Sequence, residues 1–217
     1  MPLRTALVAV SSLLIVSLVY SQTSGVKEGK VYVSGENPGI RLLQKEGGPP
    51  ATNVNFWKVV YSPAGMGHVC YITSDITGNG DSPDDVHAVF TDSDKLLDYL
   101  ASEIMVVFDK SYTDKPWPKQ HATFQTSGDT VREWKETIKS DKMTIDLIWR
   151  DFYEPYLQDT PTGGPRIPFG IASLLLPAKS AEVIINGKKA AGSAFPQVRG
   201  SRQSSTAFLA FSETWVK

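Results

Sequence analysis

The chain has 217 residues, of which 41% are apolar, 21% charged and 10% aromatic. This composition is that of an ordinary globular protein, and it excludes a disordered, collagen-like or membrane-bundle protein. Lys and Arg number 22 against 23 Asp and Glu, which gives a formal net charge of -1 at pH 7. A charge so close to neutral favours neither nucleic acid nor an anionic membrane as a partner.

Residues 1–21 predict a cleaved secretory signal peptide. Arg4 supplies a positive start, an apolar run follows from Thr5 to Tyr20, and small residues flank the expected cleavage site after Ser21. The apolar run is shorter than the ~20 residues that cross a bilayer, so we expect no stable membrane span after cleavage. The sequence therefore predicts a secreted protein, extracellular or periplasmic, with residues 22–29 as a flexible arm.

Short runs rich in β-branched and aromatic residues, separated by turn residues, follow this arm. The predicted strands are residues 31–33, 40–43, 54–61, 68–73, 121–126, 131–139, 143–152, 169–176, 182–185 and 207–216. Residues 155–168 are rich in Pro and Gly and predict a loop. The dipeptide Asn186-Gly187 predicts a type I′ hairpin turn.

One segment has a helical period instead. Four apolar residues recur at helical spacing within residues 94–104, namely Leu96, Leu97, Leu100 and Ile104. Ser93 precedes them and is a favourable N-cap residue. We predict one short helix here.

These elements predict a single mainly-β domain over residues 30–217, built as an antiparallel β-barrel or a two-sheet sandwich. Cys70 is the only cysteine, so an intrachain disulfide is excluded and stability must come from the core. By analogy at the level of fold, we expect this chain to form a lipocalin-like barrel that holds a small molecule in its interior. Fold alone does not define a function, and no stretch carries a complete catalytic signature.

The densest polar cluster lies between two predicted strands and resembles the first half of a calcium loop. Its oxygen-bearing side chains are Asp75, Thr77, Asn79 and Asp81, and Asp84 is a substitute for a missing ligand. Val86 stands where an EF-hand supplies a bidentate Glu. The pattern therefore indicates either a non-EF calcium site or a solvated loop.

Two carboxylates fall on apolar strand faces. Regular alternation places Asp151 on the face of Trp149, and Glu213 on the face of Phe211 and Trp215. A carboxylate on such a face must be paired, protonated or directed into a cavity, because burying it unpaired is costly. Both are candidate acid or base groups, and His68 and His121 are their candidate partners.

Aromatic side chains give the last indication. A hydrophobic cup or a stacking platform is predicted from Trp57, Trp117, Trp134, Trp149 and Trp215, together with Tyr61, Tyr112, Tyr153 and Tyr156. The sequence therefore predicts a secreted protein that binds a small apolar or amphipathic molecule in a barrel interior. Two alternatives remain: a secreted acid-base enzyme (isomerase, lyase or hydrolase), or a carbohydrate-binding module stabilised by Ca²⁺.

Overall fold

The computed structural model describes residues 29–76, 79, 85–114, 117–165 and 167–217. The predicted signal peptide and residues 22–28 of the predicted arm lie outside this part of the chain. No helix within the described residues combines the length and the apolar character that crossing a bilayer requires.

Fourteen strands make up most of the described chain. They are β1 (Val31–Glu36), β2 (Gly39–Leu43), β3 (Pro50–Tyr61), β4 (Gly67–Ser74), β5 (Val86–Thr91), β6 (Lys119–Gly128), β7 (Glu133–Ser140), β8 (Thr144–Phe152), β9 (Tyr156–Thr160), β10 (Gly170–Ile185), β11 (Lys188–Lys189), β12 (Pro196–Arg199), β13 (Arg202–Ser205) and β14 (Ala207–Val216).

Nine of these strands close into a β-barrel, in the order β2-β3-β4-β5-β6-β7-β8-β10-β14. Closure occurs because β14 pairs with β10 along one edge and with β2 along the other. β1 precedes β2 across a break at Asn37-Pro38 and also lies between β14 and β3. The predicted mainly-β fold is confirmed, and of the two predicted architectures the barrel is the one observed.

The predicted helix is also confirmed. It consists of α1 (Asp94–Tyr99), a π-helical turn (Leu100–Ile104) and a 3-10 turn (Met105–Val107), and α2 (Ser111–Asp114) follows. Ser93 caps α1 by accepting a hydrogen bond from the Leu96 N–H at 3.4 Å. We refer to residues 94–114 as the helical segment.

The helical segment explains the one departure from antiparallel pairing among the described strand pairs. β5 and β6 are parallel, with Val89 opposite Lys119 and Thr91 opposite His121. Parallel neighbours need a crossover connection, because the chain must return to the same end of the sheet before it pairs again. The helical segment is that crossover, and it packs on the outside of the barrel.

Two apolar clusters result. The inner cluster fills the barrel and includes Ile72, Phe90 and Trp149. The outer cluster lies between the barrel wall and the helical segment and includes Tyr71 and Leu100. Strand β4 contributes to both, which is why its sequence is a nearly continuous apolar run and not an alternating one.

Two predictions about the C-terminal half need correction. The predicted loop at residues 155–168 contains β9, which pairs with the first half of β10. The predicted strands 169–176 and 182–185 are one continuous strand, β10, that passes through Pro177. The predicted hairpin turn is confirmed, since Asn186 and Gly187 both have positive φ, at 50° and 78°, between β10 and β11.

Candidate ligand-binding site

A pocket of about 510 Å³ lies outside the barrel, between the helical segment and strands β3, β10 and β14. Its volume is within the range of roughly 300–1,000 Å³ that is usual for small-molecule sites. The apolar lining residues are Trp57, Met105, Phe108, Tyr112, Ile167, Ile171, Leu175, Phe208 and Trp215, and the polar ones are Asn37, Arg41, Asn55, Gln158, Arg199 and Glu213. We call this site the outer pocket.

The barrel interior, where the sequence analysis places a ligand, is filled with side chains. Phe56, Phe90 and Trp149 expose 0% of their surface, so no water-sized space adjoins them. Trp149 is also held in place, because its Nε1–H donates to the carbonyl of Gly39 at 3.1 Å. The space for a ligand is therefore in the outer pocket and not around these three rings.

A β-bulge in β14 directs Glu213 and Trp215 into the outer pocket. Ser212 has φ 49°, and β14 has one extra residue there relative to β10. Phe211, before the bulge, packs against the inner cluster, whereas Trp215 belongs to the outer cluster. The predicted common face of Phe211, Glu213 and Trp215 is therefore wrong, because one extra residue reverses the alternation beyond it.

The surroundings of Glu213 favour its protonated form. Its Oε1 accepts a hydrogen bond from Trp215 Nε1 at 2.7 Å. Burial raises the pKa of Glu213 from 4.5 to about 7, although the hydrogen bond from Trp215 acts in the opposite direction. At neutral pH this carboxyl group is therefore available both as an acceptor and as a donor.

Two polar atoms of β3 have no hydrogen-bond partner within the described chain. They are Trp57 Nε1 and Asn55 Oδ1, and both residues line the outer pocket. Trp57 is only 3% exposed, so its N–H group has little access to bulk water. Leaving such a group unpaired costs about 1–3 kcal/mol.

Phe108 and Tyr112 form the outer wall of the pocket. Phe108 packs edge-on against Trp215, with ring centroids 5.7 Å apart, and is nevertheless 49% exposed. Tyr112 stacks on Trp117 at 5.4 Å, and burial raises its pKa. These contacts make the wall aromatic, with its outer edge open to solvent.

The histidines named as candidate partners of Glu213 lie in other surroundings. His68 is bonded through Nδ1 to Asp92 at 2.6 Å, and its ring stacks on Phe124. His121 is exposed, with Nε2 at 3.6 Å from a carboxylate oxygen of Asp94. Neither histidine lines the outer pocket.

Asp151 is likewise separate from Glu213. It has φ 54° and is exposed, and its N–H donates to the carbonyl of Arg132. The expectation that it continues the apolar face of Trp149 is wrong, because the strand becomes irregular at this residue. The structure therefore does not bring the four candidate catalytic residues together.

The candidate aromatic residues also separate into groups. Trp57 and Trp215 contact each other in the outer pocket, with centroids 5.6 Å apart. Trp117 supports that pocket from behind through Tyr112. Tyr153 lies under the ammonium group of Lys179, in another region.

Trp134 contacts a buried carboxylate, Glu136, that the sequence analysis did not identify. Its Nε1 donates to Glu136 Oε1 at 2.9 Å, and Thr126 Oγ1 lies within hydrogen-bond distance of both oxygens. Glu136 is 1% exposed, and burial raises its pKa. Alternation along β7 is the signal for this residue, since Trp134, Glu136 and Ile138 share one face.

The predicted calcium ligands lie largely outside the described residues, namely Thr77, Asp81 and Asp84. Asp75 is buried, and its backbone N–H and C=O bond to Ala51 and Ala191. Asn79 is described. Within the described chain, no group of three or more His, Cys, Asp or Glu side chains is placed to hold a metal ion.

The fold and the outer pocket together define a mainly-β protein with a closed nine-stranded barrel and a small-molecule-sized pocket beside it. Comparisons with protein-family models, curated proteins and solved structures find no match to this chain.

Proposed function

We propose that this is a secreted protein that binds a small, largely apolar molecule with a polar group, and that the ligand occupies the outer pocket. The aromatic wall of a pocket of about 510 Å³ carries the proposal. An apolar wall with a few convergent polar groups is typical of small-molecule sites. Secretion is inferred from residues 1–21 alone.

Three features of the pocket support a role in binding a ligand over a role in side-chain packing alone. The tryptophan and phenylalanine rings provide a large apolar contact area. The amide side chains of Asn37 and Gln158 line the pocket beside these rings. Glu213 adds a carboxyl group that exchanges its proton near neutral pH. A hydroxyl, carbonyl or amide group on the ligand satisfies such atoms.

The candidate acid-base pairs of the enzyme alternative are not formed, since the histidines and Asp151 lie away from Glu213. Binding is therefore the function that the geometry of the outer pocket supports best.

The test is a fluorescence titration with N-phenylnaphthylamine, an uncharged aromatic probe. Phe108→Ala removes a half-exposed wall of the outer pocket, and we expect about tenfold weaker binding from the lost apolar contact. Leu157→Ala is the control, because Leu157 is 79% exposed and does not line the pocket. Unchanged affinity of Phe108→Ala contradicts the proposal.

Native and denaturing mass spectrometry of protein from a secreting host complements this titration. An organic mass released on denaturation identifies the natural ligand, and the N-terminal residue reports whether the predicted signal peptide is cleaved. A mature chain that still carries residues 1–21 contradicts the secretion proposal.

A further inference from the structure

Two arginines from distant parts of the chain line the outer pocket. Arg41 comes from β2 and Arg199 from the end of β12, and both are exposed. The Arg199 guanidinium lies 5.6 Å from the ring centroid of Phe208 and donates to Gln158 Oε1 at 3.4 Å. The Arg199 guanidinium is thus held by the ring face of Phe208 and by the uncharged amide of Gln158.

Neither arginine forms a salt bridge with a carboxylate of the described chain. Arg150 shows the contrast, because its guanidinium is paired with both Glu133 at 2.7 Å and Glu182 at 2.9 Å. Arginine presents a planar fork of donors that matches a carboxylate, sulfate or phosphate. An uncompensated pair of such groups beside an apolar pocket is suited to an anion.

The charge of the pocket supports the same conclusion. Among the described residues that line it, the one carboxylate is Glu213, which is partly protonated at neutral pH and therefore carries less than a full negative charge. The lining is net positive, whereas the whole chain has a formal charge of -1. The positive charge is therefore local to the pocket and does not follow from composition.

We propose that the ligand of the outer pocket is an amphipathic organic anion. Its apolar body rests against Trp57 and Trp215, and its carboxylate, sulfate or phosphate group is bound by Arg41 and Arg199. This assignment of ligand class rests on the proposed function, since it presumes that the outer pocket binds a small molecule.

The experiment compares two probes that share one aromatic body. Anilinonaphthalene sulfonate carries an anionic group, and N-phenylnaphthylamine does not. The test variant is Arg41→Gln/Arg199→Gln. The control is Arg132→Gln/Lys139→Gln, which removes the same charge from exposed residues that do not line the outer pocket. Melting temperatures establish that each variant is folded.

We expect the wild-type protein to bind the sulfonate about tenfold more tightly than the uncharged probe, as a charge-assisted hydrogen bond provides. The test variant should lose that difference and keep its affinity for N-phenylnaphthylamine, and the control should keep both affinities. Equal wild-type affinities, or an equal loss in the control, overturn the anion proposal alone. Failure of both probes to bind overturns the proposed function as well.

Discussion

The carboxyl group of Glu213 lies among aromatic rings, and its protonation state makes the charge of the outer pocket depend on pH. Its pKa of about 7 in the folded protein lies above the ordinary value of 4.5. Between these two values the folded state binds more protons than the unfolded state, so stability falls as pH rises. The loss begins above pH 4.5 and is complete above pH 7.

We therefore expect Glu213→Gln to flatten the pH dependence of stability. From pH 5 to pH 8 the wild-type free energy of unfolding should fall by roughly 2 kcal/mol more than that of the variant. At pH 8 the variant should be the more stable protein, because it buries no charge. Urea unfolding at both pH values measures this difference.

Glu154→Gln is the matched control for this change, because Glu154 is exposed. It should follow the wild-type pH profile. If Glu213→Gln follows that profile too, Glu213 titrates at its ordinary pKa in the folded protein, and the surroundings described above do not favour its neutral form.

At the scale of elements, the bulge in β14 determines what the outer pocket contains. Ser212 adopts the left-handed backbone region with its side chain exposed. That conformation costs an L-residue roughly 1–2 kcal/mol and costs glycine little. The closed barrel and the packing of Trp215 in the outer cluster therefore hold Ser212 in this conformation against its local preference.

The bulge predicts opposite effects of two substitutions. Ser212→Gly should stabilise the protein by up to about 1 kcal/mol, since it relieves the strain of the positive φ. Ser212→Val should destabilise it by about 1 kcal/mol or more, because a β-branched residue is least suited to this region. Chemical denaturation measures both changes.

Ser127 provides the control, as an exposed residue of strand β6 without positive φ. At this position the order of stabilities should reverse, so that Ser127→Val is more stable than Ser127→Gly, because valine is favoured over glycine in a regular strand. The same order at both positions contradicts the assignment of backbone strain to Ser212.

At the scale of the whole molecule, the barrel wall separates two clusters with different roles. The inner cluster is closely packed around Trp149, whose indole N–H is bonded to Gly39. The outer cluster is incomplete beside Trp57, whose indole N–H has no partner in the described chain. We infer that the inner cluster stabilises the barrel and that the outer cluster provides the binding surface.

A pair of matched substitutions separates these roles. Trp149→Phe and Trp57→Phe remove the same atoms, but only the first breaks a hydrogen bond, the one to the Gly39 carbonyl. We expect Trp149→Phe to lower the free energy of unfolding by about 1 kcal/mol more than Trp57→Phe. Urea unfolding of ligand-free protein measures the difference, and equal losses contradict it.

Local sequence signals were sufficient for much of the fold. Runs of β-branched and aromatic residues between turn residues predict most of the barrel strands, although not β5, and Asn186-Gly187 predicts its hairpin turn. Ser93 and the spacing of four apolar residues predict the helix. These predictions succeed because each depends on interactions within a few residues along the chain. Four of the pocket residues, Trp57, Trp215, Glu213 and Tyr112, also carry a signal in their residue type.

The arrangement of the site depends on contacts between distant residues. The register of β14 against β10 decides that Glu213 faces outward, and no local pattern around Ser212 marks the extra residue. The parallel pairing of β5 and β6 places Phe108 and Tyr112 over the barrel wall. Arg41 and Arg199 line the same pocket because the barrel closes and the β12-β13 hairpin folds beside it.

The sequence by itself thus determined most of the barrel strands, the helix and the mainly-β class, because residue type, helical spacing and turn chemistry act locally. Only the tertiary structure decided that the barrel interior is filled and that the pocket lies outside it. The physical reason is that closing a barrel couples the registers of all its strands, so that one bulge changes which side chains face a ligand.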